Sequence, residues 1–217
     1  HCPKALVEVN GKSLLEHNVR YLQRFGIYEV IINVHHFAQM IRDAIYEHDG
    51  FGSEINISDE SSELLETGGG LKKAAHFFEG AGDLVVMNVD VLTNLDLGKM
   101  IEAHNGNVAT LAVMQRESSR YPLFDKEMTL CGWENNKTGE QRMSREGVSV
   151  TPYAFSGIQV LSEAVLNDMP FEGKFSLIDQ YLYLAKKHTL KGFDHTGNIF
   201  IDVGKPGSIE QAEYLFQ

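Results

Sequence analysis

The stretch Asp83-Leu84-Val85-Val86-Met87-Asn88-Val89-Asp90 decides how this chain is read: an apolar run of strand length that ends on a carboxylate. The pattern returns near the C-terminus as Ile199-Phe200-Ile201-Asp202, followed by Val203-Gly204-Lys205-Pro206-Gly207. Short continuous apolar runs bounded by turn residues fit strands buried on both faces, as in a parallel sheet. In open α/β sheets ligands bind outside the carboxyl ends of the strands, where both aspartates fall. Two acids meeting there can hold Mg2+, a hard cation that takes oxygen ligands and shares them with phosphates. Each can also simply cap the next helix or turn, a position that favours Asp.

Outward from these runs, strand and helix patterns alternate. Leu6–Val9 is a short apolar piece, followed by a helical pattern through Leu14, Leu15, Val19, Leu22 and Phe25, with Gly26 placed to end it. Tyr28–Val34 reads as a strand, Phe37–Tyr46 as a helix, Ile55–Ser58 as a strand and Gly69–Phe78 as a helix. Beyond the Leu84–Val89 strand come a helix at Asp96–His104 and a strand at Val108–Val113. Leu123–Gly147 is charged and turn-rich and is expected to form hairpins or a lid. Tyr153–Leu161, Leu190–Phe193 and Ile199–Ile201 read as strands, Leu177–Lys187 and Ser208–Phe216 as helices. Strands separated by helix-length segments predict βαβ units: an α/β fold with a doubly wound, mostly parallel, Rossmann-like sheet flanked by helices. The 217 residues fit one domain over 1–217, with 123–147 as a small β-rich insertion.

Composition narrows the function. With 43% hydrophobic and 10% aromatic residues the chain can build a substantial core, and 23% charged residues is ordinary for a globular protein. A net charge of −11 argues against nucleic acid, which needs a basic face. An anionic ligand must therefore be drawn locally, by a metal ion, a few lysines and oriented backbone N–H groups. Two cysteines, Cys2 and Cys131, suggest neither a disulfide framework nor a cysteine zinc site. No apolar run reaches membrane-spanning length and no secretory leader is visible, so the expected location is cytoplasmic, with no membrane partner. The oligomeric state is left open.

Three further segments carry chemistry. Glu66-Thr67-Gly68-Gly69-Gly70 falls in the turn between the Ile55 strand and the next helix; consecutive glycines admit a ligand close to the backbone, and helix N-terminal N–H groups favour anions. They can equally be a flexible turn. The spacing is not the G-x-G-x-x-G dinucleotide fingerprint, which disfavours an oxidoreductase on a Rossmann-like sheet. Pro3-Lys4-Ala5-Leu6 puts a lysine just ahead of a short strand, and Phe155-Ser156-Gly157-Ile158 puts a glycine inside an apolar strand, where backbone or ligand often approaches closely.

Taken in order, PKALVEVNGKSLLEH, LLETGGG, VVMNVD, YAFSGIQVL and FIDVGKP resemble successive blocks of the sugar-1-phosphate nucleotidyltransferase family over nearly the whole chain. LETGGG with FSGI and DVG is most similar to short bacterial uridylyltransferases acting on N-acetylmuramate 1-phosphate; mannose- and heptose-1-phosphate guanylyltransferases are close relatives. The resemblance implies the nucleotide-diphospho-sugar transferase fold and transfer of a nucleotidyl group from a nucleoside triphosphate to a sugar 1-phosphate. It implies Asp90 and Asp202 as Mg2+ ligands and, with Lys4, as the catalytic set. Glu66, Thr67, Gly68 and Gly69 are expected at the nucleotide. Ser156 and Gly157, with Glu134 and Lys137 from the Trp133–Lys137 run, are expected at the sugar phosphate.

The sequence departs from the family at three places. Relatives begin with a strand and a Gly-rich, Arg-bearing loop that would precede His1, so an N-terminal segment is expected upstream. Val89 stands where relatives have glycine and is expected to narrow the pocket. Lys205 replaces the usual threonine after Asp-Val-Gly. These departures keep a second hypothesis in play, a catalytically silent nucleotide- or sugar-phosphate-binding regulator. Elsewhere, His35-His36 lacks metal-ligand spacing, Ser176 and Asp179 read as a helix cap, and Arg142 and Arg145 are expected to be solvated or to serve a mobile lid.

Overall fold

A computed structural model describes residues 2–205 and 207–216; Pro206, the end of the FIDVGKP block, lies outside them. In chain order the strands are β1 (Glu8–Val9), β2 (Lys12–Ser13), β3 (Glu29–Val34), β4 (Glu54–Asp59), β5 (Asp83–Met87), β6 (Val91–Thr93) and β7 (Ala109–Met114). They continue with β8 (Arg120–Phe124), β9 (Leu130–Asn135), β10 (Glu140–Met143), β11 (Thr151–Pro152), β12 (Ala154–Ser162), β13 (Leu190–Asp194) and β14 (Phe200–Asp202). The helices are α1 (Leu14–Gln23), α2 (Ala38–Glu47), α3 (Glu66–Ala74), α4 (Leu97–His104), α5 (Ala164–Asn167), α6 (Leu177–Ala185) and α7 (Ser208–Leu215). The chain has the expected α/β architecture, and it divides into two compact units.

The first unit comprises His1–Leu64, Asn88–Leu95 and Ile199–Gln217. Helix α1 starts where Ser13 Oγ accepts a hydrogen bond from Glu16 N at 3.1 Å, and the positive φ of Gly26 (79°) follows its end. Its apolar face serves two clusters. Leu15 and Val19 pack with Ala5, Val34, Ile41 and Phe51, while Leu14 packs with Val9, Leu92, Ile201, Val203 and Ala212. Each Val, Leu, Ile or Phe side chain among them contributes about 1.5–3 kcal/mol when fully buried. Strands β3 and β4 pair in parallel; β6 and β14 pair antiparallel.

The second unit comprises Leu65–Met87 and Asp96–Asn198. Its main sheet has the order β13-β7-β12-β5, and every residue of β7 is buried, as befits a central strand. A second sheet, β10-β9-β8-β11, holds the expected insertion. The sequence suggests mostly parallel pairing, yet β12 runs antiparallel to both β7 and β5. The cause is the insertion. The chain leaves β7 at Met114, runs through the second sheet, and re-enters β12 with Ala154 opposite that same Met114. A connection that returns to the end it left gives an antiparallel pair; only a crossover gives a parallel one.

Arg142 and Arg145 are not free in solvent as expected. Arg142 Nη1 donates to Asp179 Oδ1 at 2.6 Å with its guanidinium over Trp133, and Arg145 donates to the carbonyls of Ala185, the last residue of α6, and of His188 just beyond it. With Ser144 Oγ donating to Leu182 O, they fasten the insertion to α6. Ser176 caps α6 as expected, its Oγ accepting from Ile178 N. Among the described residues, no helix is long and apolar enough to cross a membrane.

Candidate active site

Asp90 and Asp202 come together inside the first unit because of strand register. β5 stops at Met87, and Asn88–Asp90 form a turn before β6 begins at Val91. β14 pairs with β6 so that Asp202 stands opposite Val91, Ile201 opposite Leu92 and Phe200 opposite Thr93. Val203 N then donates to Asp90 O at 2.8 Å, tying the two acid-bearing turns together. At the far end the register is locked by Thr93 Oγ1 donating to Ile199 O (2.7 Å) and Ile199 N donating to Asn94 Oδ1 (2.8 Å). A slip of one residue would turn Asp202 to the opposite face.

Lys4 joins them from a short 3-10 turn, Lys4–Leu6, whose Ala5 is anchored in the core. Its Nζ lies 3.4 Å from Asp90 Oδ2. The meeting point of the three groups lies beside Gly204. A Cβ built on that glycine would lie 3.0 Å from Asp202 Oδ1, 3.0 Å from Lys4 Nζ and 3.3 Å from Asp90 Oδ2. Gly204 N also donates to Asp202 Oδ1 at 3.0 Å, fixing that carboxylate's orientation.

The donor set beside Gly204 fits a hard cation of the Mg2+ type. Two carboxylate oxygens and an ammonium surround one small space that any side chain at position 204 would fill. Among the described residues, no group of three or more His, Cys, Asp or Glu could hold a metal by itself. A pair of acids suits Mg2+, which binds through one or two carboxylates plus substrate phosphates and water. His35 and His36 form no such site. Their rings meet at a tilt of 55° with centroids 4.2 Å apart, and His35 Nδ1 meets the carbonyl of Glu60 at 2.6 Å.

One residue that shapes this site, Asn18, is absent from the sequence reading. Asn18 is buried mid-helix on the apolar face of α1, and its Nδ2 donates to Leu14 O (3.0 Å) and Val89 O (2.8 Å). It holds the turn that carries Asp90. The available clue was a buried-face asparagine among Leu14, Leu15, Val19 and Leu22, a placement that is costly unless the amide finds partners. Val89 itself packs against the Ala5–Leu15–Val19 cluster, so its branched side chain serves the core.

The second unit holds the glycine run. Gly68 and Gly69 are buried, and their N–H groups both donate to Phe175 O (2.9 and 3.3 Å). These donors are engaged within the unit, not open to a ligand as the glycine run suggests. Their lack of side chains has another reason. A Cβ at Gly68 would lie 2.4 Å from the Phe175 ring, and one at Gly69 would lie 2.1 Å from Gly173 O. Exposed at the same turn are Glu66, at φ 60° and 3.5 Å from Lys174 Nζ, and Thr67, whose Oγ1 accepts from Leu177 N.

Ser156 is buried in β12, and its Oγ meets His195 Nε2 at 2.8 Å. Gly157 follows at φ 72°, where the β12·β7 register shifts between Phe155 and Gln159. Such a bulge re-aims the strand. His195 was not legible as a site residue in Asp194-His195-Thr196-Gly197, which reads as a polar turn. Burial holds its imidazole below the usual histidine range, against the pull of Asp194 and with the push of Arg116. Arg116 Nη2 donates to Phe155 O at 2.7 Å, bracing the same bulge. Glu134 and Lys137 sit elsewhere in this unit, on β9 and in the β9–β10 turn. Glu134 Oε2 accepts from Gln141 Nε2, and Lys137 N donates to Asn135 Oδ1, leaving the exposed Lys137 side chain outside that turn bond.

Residues 1–216 match the nucleotidyl transferase family. The chain is 30% identical to N-acetylmuramate alpha-1-phosphate uridylyltransferase of Caulobacter vibrioides, over 97% of this chain and 87% of that protein. It is 27% identical to D-glycero-alpha-D-manno-heptose 1-phosphate guanylyltransferase of Campylobacter jejuni, over 94% and 86% respectively. Its fold is similar to the crystal structure of HddC from Yersinia pseudotuberculosis, with a TM-score of 0.79 and 26% identity, over 100% of this chain and 91% of that one. HddC has also been solved complexed with GMP-PN.

Proposed function

The chain belongs to the nucleotidyl transferase family, as a sugar-1-phosphate nucleotidyltransferase, and on that premise we propose that it joins UTP to N-acetylmuramate 1-phosphate with Mg2+. The observation that carries the chemistry is the convergence of Lys4 Nζ, Asp90 Oδ2 and Asp202 Oδ1 around Gly204. The uridylyl assignment is supported by the Caulobacter vibrioides relative and by the LETGGG, FSGI and DVG blocks. GTP with a heptose or mannose 1-phosphate is the second reading, favoured by the Campylobacter jejuni relative and by the HddC structure complexed with GMP-PN.

The reaction displaces pyrophosphate. A phosphate oxygen of the sugar 1-phosphate attacks the α-phosphorus of the triphosphate, the new P–O bond forms, and the bond to the β-phosphate breaks. A phosphate monoester is largely dianionic at neutral pH, its second pKa being about 6, so the nucleophile needs no general base. The protein's work is to hold two polyanions in line and to offset charge in the transition state. Asp90 and Asp202 would hold Mg2+, which when bound draws charge from the phosphate oxygens. Lys4 neutralises phosphate charge next to them. By the family resemblance, Glu66 and Thr67, on a turn that Gly68 and Gly69 shape, are assigned to the nucleotide. Ser156 and Gly157 at the bulge, with Glu134 and Lys137, serve the sugar phosphate.

The test is pyrophosphate release by the natural full-length protein, crossing UTP, GTP, CTP, ATP and dTTP with muramate, glucosamine-derived, mannose, glucose and heptose 1-phosphates. UTP with N-acetylmuramate 1-phosphate is expected to turn over fastest. Fastest turnover with GTP and a heptose or mannose 1-phosphate would overturn the uridylyl reading and keep the class. Nucleotide binding without release from any pair would instead favour the silent regulator.

A further inference from the structure

The carboxylate pair carries two lysines. Lys4 Nζ lies 3.4 Å from Asp90 Oδ2, and Lys205 Nζ lies 3.7 Å from Asp202 Oδ2. The two oxygens of Asp202 therefore divide: Oδ1 faces the space beside Gly204, and Oδ2 meets Lys205. Resting on the active-site reading above, we propose that Lys205 is a substrate-binding residue that covers Asp202 until a divalent cation and phosphate arrive, then turns to the phosphate.

Three observations support this. The backbone of Lys205 is fixed, since its carbonyl accepts from Ser208 N (3.2 Å) and Ser208 Oγ (2.5 Å) at the start of α7. Its side chain is not: it is 64% exposed and makes one long ion pair. Such pairs are worth little, so releasing the ammonium costs little, and a four-carbon stem gives it reach. Finally, the chain carries a net charge of −11, a field that repels phosphate substrates. Attraction must come from nearby cations, and a second lysine at the acids supplies one. Two aspartates and two lysines sum to zero formal charge. With a cation held at Oδ1, the pull of Asp202 on the ammonium at Oδ2 would weaken, leaving Lys205 next to incoming phosphate with its charge free.

The proposal predicts opposite effects on metal and phosphate. Without nucleotide, Lys205→Met removes a competitor for Asp202, so Mn2+ affinity, read from the free-ion spin-resonance signal, is expected to rise about two- to fivefold. The same variant loses a charged phosphate contact, so KM is expected to rise about tenfold with kcat little changed. A rise in the nucleoside triphosphate KM assigns the contact to the triphosphate; a rise in the sugar 1-phosphate KM assigns it to the monoester. Lys205→Arg is expected to keep wild-type values. An unchanged Mn2+ affinity, or an unchanged KM for both substrates, would overturn the role given to Lys205. Asp202→Asn separates the premise: Mn2+ binding that survives it would instead overturn the carboxylate site itself.

Discussion

Gly204 and Gly69 are the same residue used for opposite purposes. Around Gly204 the atoms that a Cβ would meet are charged and belong to three different parts of the first unit: Asp202 Oδ1, Lys4 Nζ and Asp90 Oδ2, at 3.0, 3.0 and 3.3 Å. Around Gly69 they are the unit's own packing, Gly173 O at 2.1 Å and Leu65 Cβ at 2.9 Å. On the proposed function, one glycine keeps space open for the cation and phosphate. The other lets two backbones close on each other. What surrounds the missing side chain, not the glycine itself, separates a site from a packing contact.

The sharpest way to break this comparison is to add the methyl group at each position. Gly204→Ala is expected to lower kcat/KM by on the order of 10²-fold, because it intrudes where the reacting phosphates must be positioned. Its melting temperature is expected to stay within about 2 °C of wild type, a shift that corresponds to less than about 1 kcal/mol in a chain of this size. Gly69→Ala is expected to do the reverse, costing about 3 kcal/mol through overpacking and lowering Tm by on the order of 10 °C. Thermal melts and steady-state kinetics on both variants decide it; a stable, active Gly69→Ala would sink the packing assignment.

Asn18→Ala sharpens the first half of the comparison. It removes the donor at Val89 O, and an unsatisfied buried group costs about 1–3 kcal/mol. The loss falls on the turn that carries Asp90, so kcat is expected to fall several-fold as stability drops. Denaturant unfolding alongside kinetics would separate the two; unchanged kcat in a destabilised variant would show that Asn18 supports the core only.

A smaller effect lies in the pH dependence of the second unit. Burial holds His195 and His104 below their ordinary value of 6.5. The folded state therefore binds fewer protons than the unfolded state just below pH 6.5, and stability rises with pH there. Their contribution is complete above about 6.5 and is lost as pH falls through 6.5 toward the folded values. Tm is expected to drop between pH 7 and about pH 5, and to drop less in His195→Gln. Equal slopes in the two proteins would remove His195 from the account.

The sequence exposes the two acids as a recurring pattern, an apolar run closed by Asp, although a single such Asp reads equally as a helix or turn cap. It does not expose how they meet. β6 is three residues, Val91–Thr93, too short for a periodicity to register, yet its pairing with β14 sets Asp202 beside Asp90. Strand direction is also invisible to periodicity, so β12 reads like its parallel neighbours until the insertion's return to Met114 reverses it. Asn18 and His195 escape because their meaning lies in distant partners, Val89 O and Ser156 Oγ, and neither spacing nor composition encodes those. Arg142 and Arg145 look solvated for the same reason: Asp179 and the end of α6 lie more than thirty residues on.

The most direct measurement is pyrophosphate release by Asp90→Asn and Asp202→Asn in the natural full-length protein, with Tm recorded for each. The account predicts a loss of at least about 10²-fold in kcat for either variant with the fold intact, since each removes a carboxylate that would hold Mg2+ where phosphate charge must be offset. Wild-type turnover in either one would contradict it, and would move the chemistry away from the space beside Gly204.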